Sequence, residues 1–278
     1  MTNLTDFVSG AEEQPSEPHS IFHSRIWTPW LTILWAGIIF FLFSISQLIG
    51  TIVAALRVME PSQVKEIFLG GDETQLERAL YELDLLWPAA MTSAVIGTLL
   101  ILLIIRMKKG LSIRDYLNLR GVKPAVWGMW IGITILVGAA IEYMVALDPE
   151  FQTPFMKDVV ENTGNLPMLV IAVGILAPIF EEVFFRGFVF KGLERSFLGA
   201  HGTIWLTSIV FALIHLQYSW QVMLLIIPMG LLLGYSRHYS GSLIVPIVIH
   251  VANNTVAIFL TLNEIHKGVH RGQLTQQR

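Results

Sequence analysis

Long apolar blocks alternate with short polar connections along this chain. A membrane-crossing helix needs about 20 mainly apolar residues. Seven stretches approach that length: 29–56, 85–106, 124–147, 166–190, 203–217, 220–236 and 242–262. The fifth and sixth are short and nearly contiguous, so the pattern also permits eight spans with one helix broken. The predicted fold class is all-α, a polytopic transmembrane helix bundle of about seven spans. Residues 1–28 form a polar, acidic tail, and 29–164 hold the first three spans with their connections. Residues 165–262 form a membrane core of four further spans, and 263–278 a second polar tail. The first apolar block is too long, and its flank too acidic, for a cleaved secretory signal, so it reads as a retained anchor.

Composition agrees with the pattern. Apolar residues make up 54% of the chain and charged residues 14%, against about 25% charged in ordinary soluble domains. Mean hydropathy is +0.61. Cysteine is absent, which excludes disulfides, thiolate metal sites and a thiol nucleophile. A net charge of −3 gives no reason to expect a nucleic-acid partner; the lipid bilayer is the expected one. Orientation follows from the basic residues. Segment 106–123 holds six (Arg106, Lys108, Lys109, Arg114, Arg120, Lys123), which places it, and with it the N-terminus, on the cytoplasmic side. Within it, "GLSIRDYLNLRGVKP" reads as a short amphipathic surface helix without a catalytic role. All eight tryptophans fall near block ends, as an interfacial belt requires. Two GxxxG patterns, at 128–132 and 230–234, allow close helix contacts.

One stretch breaks the apolar pattern. "LAPIFEEVFFRGFVF", residues 176–190, carries Glu181, Glu182 and Arg186 inside an otherwise buried helix. A charge at the bilayer centre costs about 2.5–3.5 kcal/mol on insertion scales, so such residues need a task or a partner. Glu182 and Arg186 stand at i, i+4 with the acid first, the better order for a helical ion pair. Glu181 is turned about 100° from Glu182 and has no partner in its own helix, a state that suits a carboxylate to general-base work. Pro178 cannot donate to the carbonyl of Gly174 and should kink or loosen the helix there.

Six histidines (19, 23, 201, 238, 266, 270) fall in predicted tails and loops, where solvation accounts for them. His215 and His250 sit inside apolar blocks. If the fourth span turns back near Gly199, Glu181 and His215 are each seventeen residues from Leu198 and face one another. His250 lies about 12 Å, and Asn254 about 18 Å, along the seventh span. The four groups converge at one depth.

At these residues the sequence resembles the CAAX-protease and bacteriocin-processing (CPBP, Abi) family of intramembrane proteases, related to the type II CAAX prenyl endopeptidases. The family's EExxxR, FxxxH and HxxxN motifs read here as Glu181-Glu182 to Arg186, Phe211 to His215, and His250 to Asn254. The resemblance covers about 165–262. It implies a peptidase in which Glu181 and His215 activate a water while His250 and Asn254 stabilise the oxyanion. Glu182, Arg186 and Phe211 would support the pocket. Family members are often labelled metalloproteases, but the resemblance implies no required cofactor. Were zinc bound, Glu181, His215 and His250 would be its ligands. The implied partner is a membrane-associated peptide or protein substrate, and the implied setting is the inner membrane of a bacterium. Two other readings stand beside the enzyme. One is a non-catalytic scaffold or bacteriocin-immunity protein. The other is a proton-coupled transporter, for which the first three spans offer no second polar half.

The orientation is testable because the chain has no cysteine of its own. Single cysteines at Ser9 and Ser112 should react with impermeant reagents only after the cells are opened. Labelling of both from outside intact cells would invert the topology.

Overall fold

The structure is a computed structural model that describes residues 26–70, 79, 84–108, 110–148, 151 and 154–276. The acidic tail through residue 25, Gly71 and Lys109 lie outside the described residues. Helix α1 spans Pro29–Ala55, α2 Pro61–Leu69, α3 Leu86–Met107 and α4 Ile113–Tyr116. Helix α5 spans Pro124–Leu147 and α6 Pro154–Asn162. The fourth apolar block is one continuous helix, α7 Leu166–Leu193. It is followed by α8 Gly199–Leu213, α9 Trp220–Ser240 and α10 Ile244–Gln276. Among the described residues, α1, α3, α5, α7, α9 and α10 are long and apolar enough to cross a membrane. The fifth block, α8, has 15 residues, about 22 Å of helix, short of a hydrocarbon core of about 30 Å. The all-α bundle of about seven spans is the architecture found.

Local chemistry marks the helix ends. Pro29 and Pro124 open α1 and α5 at positions whose N–H groups would be unpaired in any case. Ser219 caps α9 by accepting from the Val222 amide. Gly199 and Gly241 turn the chain at φ +61° and +64°, a backbone region that glycine enters without steric cost. The predicted turn near Gly199 is therefore present.

Helix α7 is the hub. Its Phe180, Phe184, Phe185 and Phe188 are buried with Ile101 and Ile105 of α3 and Phe211 of α8. Helix α1 packs along α3, and α8 along α9. At the α8–α9 contact a Cβ on Gly234 would lie 2.7 Å from Ile204 Cγ2, and one on Gly230 3.0 Å from Ser208 Cβ. The 230–234 GxxxG pattern thus serves close packing. The 128–132 pattern does not, since a Cβ at Gly128 or Gly132 would meet nothing within 4 Å.

Four expectations change. The basic segment is a surface helix over four residues only, Ile113–Tyr116: Arg114 and Asp115 are exposed, while Tyr116 and Leu117 are fully buried in the α7 core cluster, where they close one end of the bundle. Trp130 is turned into the protein rather than toward its surroundings. It is buried with Leu233, Val245 and Ile249, giving the otherwise lipid-exposed α5 its anchor on the bundle. His201, His238 and His266 stand on α8, α9 and α10 rather than in loops. The polar tail from 263 continues α10 as helix to Gln276, since it contains no proline to stop it.

The glycine contacts predict a contrast. Gly234→Val should lower the thermal midpoint in detergent, since overpacking costs about 1–3 kcal/mol, whereas Gly132→Val should leave it unchanged. Equal midpoints would remove the tight α8–α9 approach.

Candidate active site

Two stretches of α7, Val170–Leu176 and Val183–Val189, are π-helical, and the paired glutamates lie on the ordinary helix between them. Such widened turns are uncommon and concentrate at functional sites. Their physical consequence is specific. Where i→i−5 bonding returns to i→i−4, one carbonyl loses its helical donor. The Ala177 amide bonds the carbonyl of Ala172, which skips Val173, and Pro178 has no N–H to offer it. The Phe190 amide bonds the carbonyl of Phe185, which skips Arg186.

Side chains from other spans take up these carbonyls. Asn254 Nδ2 donates to Val173 O at 3.4 Å, and Thr255 Oγ1 to Gly174 O at 3.4 Å. Arg237 Nε donates to Arg186 O at 3.2 Å. Pro178 does loosen the helix, as its position predicts. The loosened turn is pinned to α10.

The two glutamates occupy different environments. Glu182 is fully buried, and its Oε1 accepts from Arg186 Nη1 at 3.0 Å and from His250 Nδ1 at 2.8 Å. Arg186, 1% exposed, also donates through Nη2 to Gly230 O at 2.9 Å and lies 4.7 Å from the centre of the Phe211 ring. Glu181 keeps 19% of its side chain exposed and faces His250 Nε2 across 3.6 Å. Because His250 Nδ1 meets a carboxylate, that nitrogen carries a proton, and the ring's other edge points at Glu181.

Phe211 joins the remaining groups. Its ring lies 4.8 Å from that of His215 and 5.7 Å from that of His250. His215 Nδ1 donates to the Phe211 carbonyl at 2.6 Å, which leaves Nε2 as its acceptor in the neutral ring. His215 stands where α8 ends, stacked on Tyr218. Glu181, Glu182, Arg186, Phe211, His215 and His250 therefore form one cluster. Glu181 lies within ion-pair distance of His250 rather than of His215, and the Phe211 ring packs against both histidines. Asn254 joins through the α7 backbone, with one of its two N–H bonds engaged there.

Sequence reasoning missed Arg237 and Thr255. Neither belongs to a motif. The carbonyl that Arg237 meets is freed by a π turn that no residue pattern announces, whereas Pro178 marks the Gly174 carbonyl that Thr255 meets. The bond from Glu182 to His250 was missed as well, since Glu182 already had a partner in its own helix. As a metal centre the donors fit poorly. Among the described residues, no three His, Cys, Asp or Glu side chains gather as a ligand set. An apolar groove of about 520 Å³ runs between α7 and α10, lined by Ile175, Ile179, Ile247, Val248 and Val251 among others.

Residues 163–256 match the family described as type II CAAX prenyl endopeptidase Rce1-like, a stretch that contains every cluster residue named above. The chain is 29% identical over 143 residues to an Escherichia coli protein named "Uncharacterized 24.3 kDa protein", covering 46% of this chain and 64% of that one. It is 28% identical over 144 residues to "Putative membrane peptidase YdiL" of Bacillus subtilis, covering 51% and 54%. These matches span less than two thirds of either relative's length. No solved structure matches the chain.

The geometry predicts how the pair fails. Arg186→Ala strands the Glu182 carboxylate and should reduce folded yield in detergent, since breaking a buried pair commonly costs about 3–5 kcal/mol. Parent-like stability with lost activity would instead make Arg186 a substrate-binding group.

Proposed function

We propose that this chain is an intramembrane endopeptidase that hydrolyses a peptide bond of a membrane-associated or lipidated substrate. The observation that carries this reading is the division between the two glutamates. Glu182 is engaged by Arg186 and His250, whereas Glu181 is partly exposed beside a histidine whose orientation Glu182 fixes. That is the environment of a general base next to an oriented imidazole.

In the proposed reaction Glu181, assisted by Nε2 of His215, takes a proton from water as its oxygen attacks the scissile carbonyl. Collapse of the tetrahedral intermediate breaks the C–N bond, and the proton held on Glu181 passes to the leaving amine. His250 and Asn254 supply oxyanion donors. For His250 Nε2 to donate, the ring must carry both protons, and the carboxylates on either side provide the counter-charge. Asn254 retains one N–H beyond the bond to Val173. Positioned donors in a site with little water are usually the largest single contribution to such catalysis. The apolar groove between α7 and α10, whose lining includes Ile179 and Val251, would suit a substrate with an apolar flank. No step is routed through a metal. The cytoplasmic N-terminus and a bacterial inner-membrane location belong to the same proposal.

Purified protein incubated with labelled membrane peptides tests this reading. Glu181→Gln should abolish cleavage while insertion and fold survive, and His215→Ala should do the same. Asn254→Ala should leave a remnant, since removal of one oxyanion donor costs about 10²–10³ in rate in a well-studied protease. Persistent cleavage by Glu181→Gln would overturn the general base. Loss of wild-type cleavage on chelation would replace the water mechanism with a metal-dependent one. In-cell function without any cleavage would make the protein a scaffold.

A further inference from the structure

Arg237 lies outside all three motifs, yet it is 3% exposed on α9, at the same end of the bundle as the basic segment. Among the described residues no carboxylate lies within ion-pair distance of it, and Glu194 offsets its burial only from beyond that distance. Its contacts are directional instead. Nε donates to Arg186 O at 3.2 Å, and the guanidinium carbon lies 5.8 Å from the centre of the Phe190 ring. The Asn118 amide is assigned with its oxygen toward the guanidinium, the orientation that satisfies both of its ends, and Nη2 then donates to that oxygen at 3.3 Å. In that orientation the Asn118 amide nitrogen donates to Asp115 O at 2.9 Å. Asn118 has φ +53°, a left-handed conformation that asparagine tolerates better than most residues.

The segment around Asn118 is itself fastened to the bundle. The Leu243 amide donates to Asn118 O at 3.1 Å, and Ser242 Oγ to Arg120 O at 2.5 Å. A Cβ at Gly187 would lie 2.8 Å from Leu117 Cδ2, so the segment presses on the π turn one residue past Arg186. Tyr116 stacks on Phe188 of the same turn, ring centres 6.2 Å apart.

We propose that Arg237 is a positioning residue for the site. It captures the carbonyl that the second π turn releases and ties that turn, through Asn118, to the segment that closes this end of the bundle. The consequence is rotational. A π turn holds about one residue more than an ordinary turn, and one residue step turns a helix by about 100°. If Val183–Val189 relaxed to ordinary helix, Phe190 and Lys191 would be offset against Glu181 and Glu182 by a turn of that order. The far end of α7 is packed on α1 and α8 and the glutamate end on α3 and α10, so the offset would be shared between the two ends and would reach the glutamates. A lysine at 237 keeps the charge but not the planar fork that reaches Arg186 O and Asn118 together.

This inference rests on the peptidase reading for one of its two measurements only. Arg237→Lys and Asn118→Gly are made in the full-length protein; glycine keeps the left-handed backbone and removes only the amide. For peptide cleavage, both variants should lower kcat, Arg237→Lys by about tenfold to a hundredfold, with KM and thermal midpoint near the parent's. A residue needed only for stability would lower the midpoint and leave kcat per folded molecule unchanged, and that result in both variants overturns the proposal. The second measurement needs no turnover. A membrane-permeant carbodiimide modifies Glu181, followed by mass spectrometry, and its rate should differ several-fold between the parent and each variant. Equal rates overturn the proposal even if no peptide is cleaved, whereas changed rates without cleavage support Arg237 and refute the peptidase.

Discussion

A carboxylate inside a bilayer must be met by neighbouring donors, and Glu182 gathers two of them on a single oxygen while its buried Oε2 has none. Its Oε1 accepts from Arg186 on its own helix and from His250 on α10. The first bond gives the acid its counter-charge, and the second fixes the face that His250 presents. Without Glu182 the imidazole would have no reason to direct Nε2 at Glu181. Arg186 in turn reaches Gly230 on α9 and lies against Phe211 on α8. Four spans of the bundle therefore meet around one ion pair.

The helix that carries the pair obtains its geometry by giving up backbone hydrogen bonds. An unpaired carbonyl in a membrane costs several kcal/mol, so each freed group has to find a donor in the protein. Asn254, Thr255 and Arg237 provide those donors from two other spans. The same bonds that satisfy the backbone also fix the rotation of α7 against α9 and α10. Gly174 makes the approach to α10 feasible, since a Cβ there would lie 3.1 Å from Thr255 Oγ1. Satisfying the backbone and aligning the site are one structural solution.

Much of this was legible in the residues. The spans follow from apolar length, the Glu182–Arg186 pair from its i, i+4 spacing, and the loosened turn from Pro178. The turn at Gly199 brought α7 and α8 together as the hairpin arithmetic required. Helical spacing could not show which histidine would meet which glutamate, because that depends on how far α8 and α10 are rotated. Periodicity gives the depth of a residue and leaves the rotation of its helix to packing. Arg237 was hidden for a related reason: its acceptor is a main-chain carbonyl, and no side-chain pattern records that one has been freed. The basic segment misled in a different way. Its charges follow the rule for a membrane surface, while Tyr116 and Leu117 between them fill the core.

The energetics of buried charge bear on why such a network is present at all. Replacing a buried ion pair with well-packed apolar residues is often neutral or stabilising by about 1–4 kcal/mol. A bundle selected for stability alone would fill the centre of α7 with more of the phenylalanine that already surrounds it. Instead this core holds Glu182 and Arg186, with His250 against them and Glu181 partly open beside them. Each of these side chains is placed through contacts with another, so truncating one leaves its neighbours buried without partners. Stability explains why the members of such a set depend on one another, but it gives no reason to have the set. The partly open carboxylate does, since Glu181 is the member of the set that keeps an appreciable part of its side chain exposed.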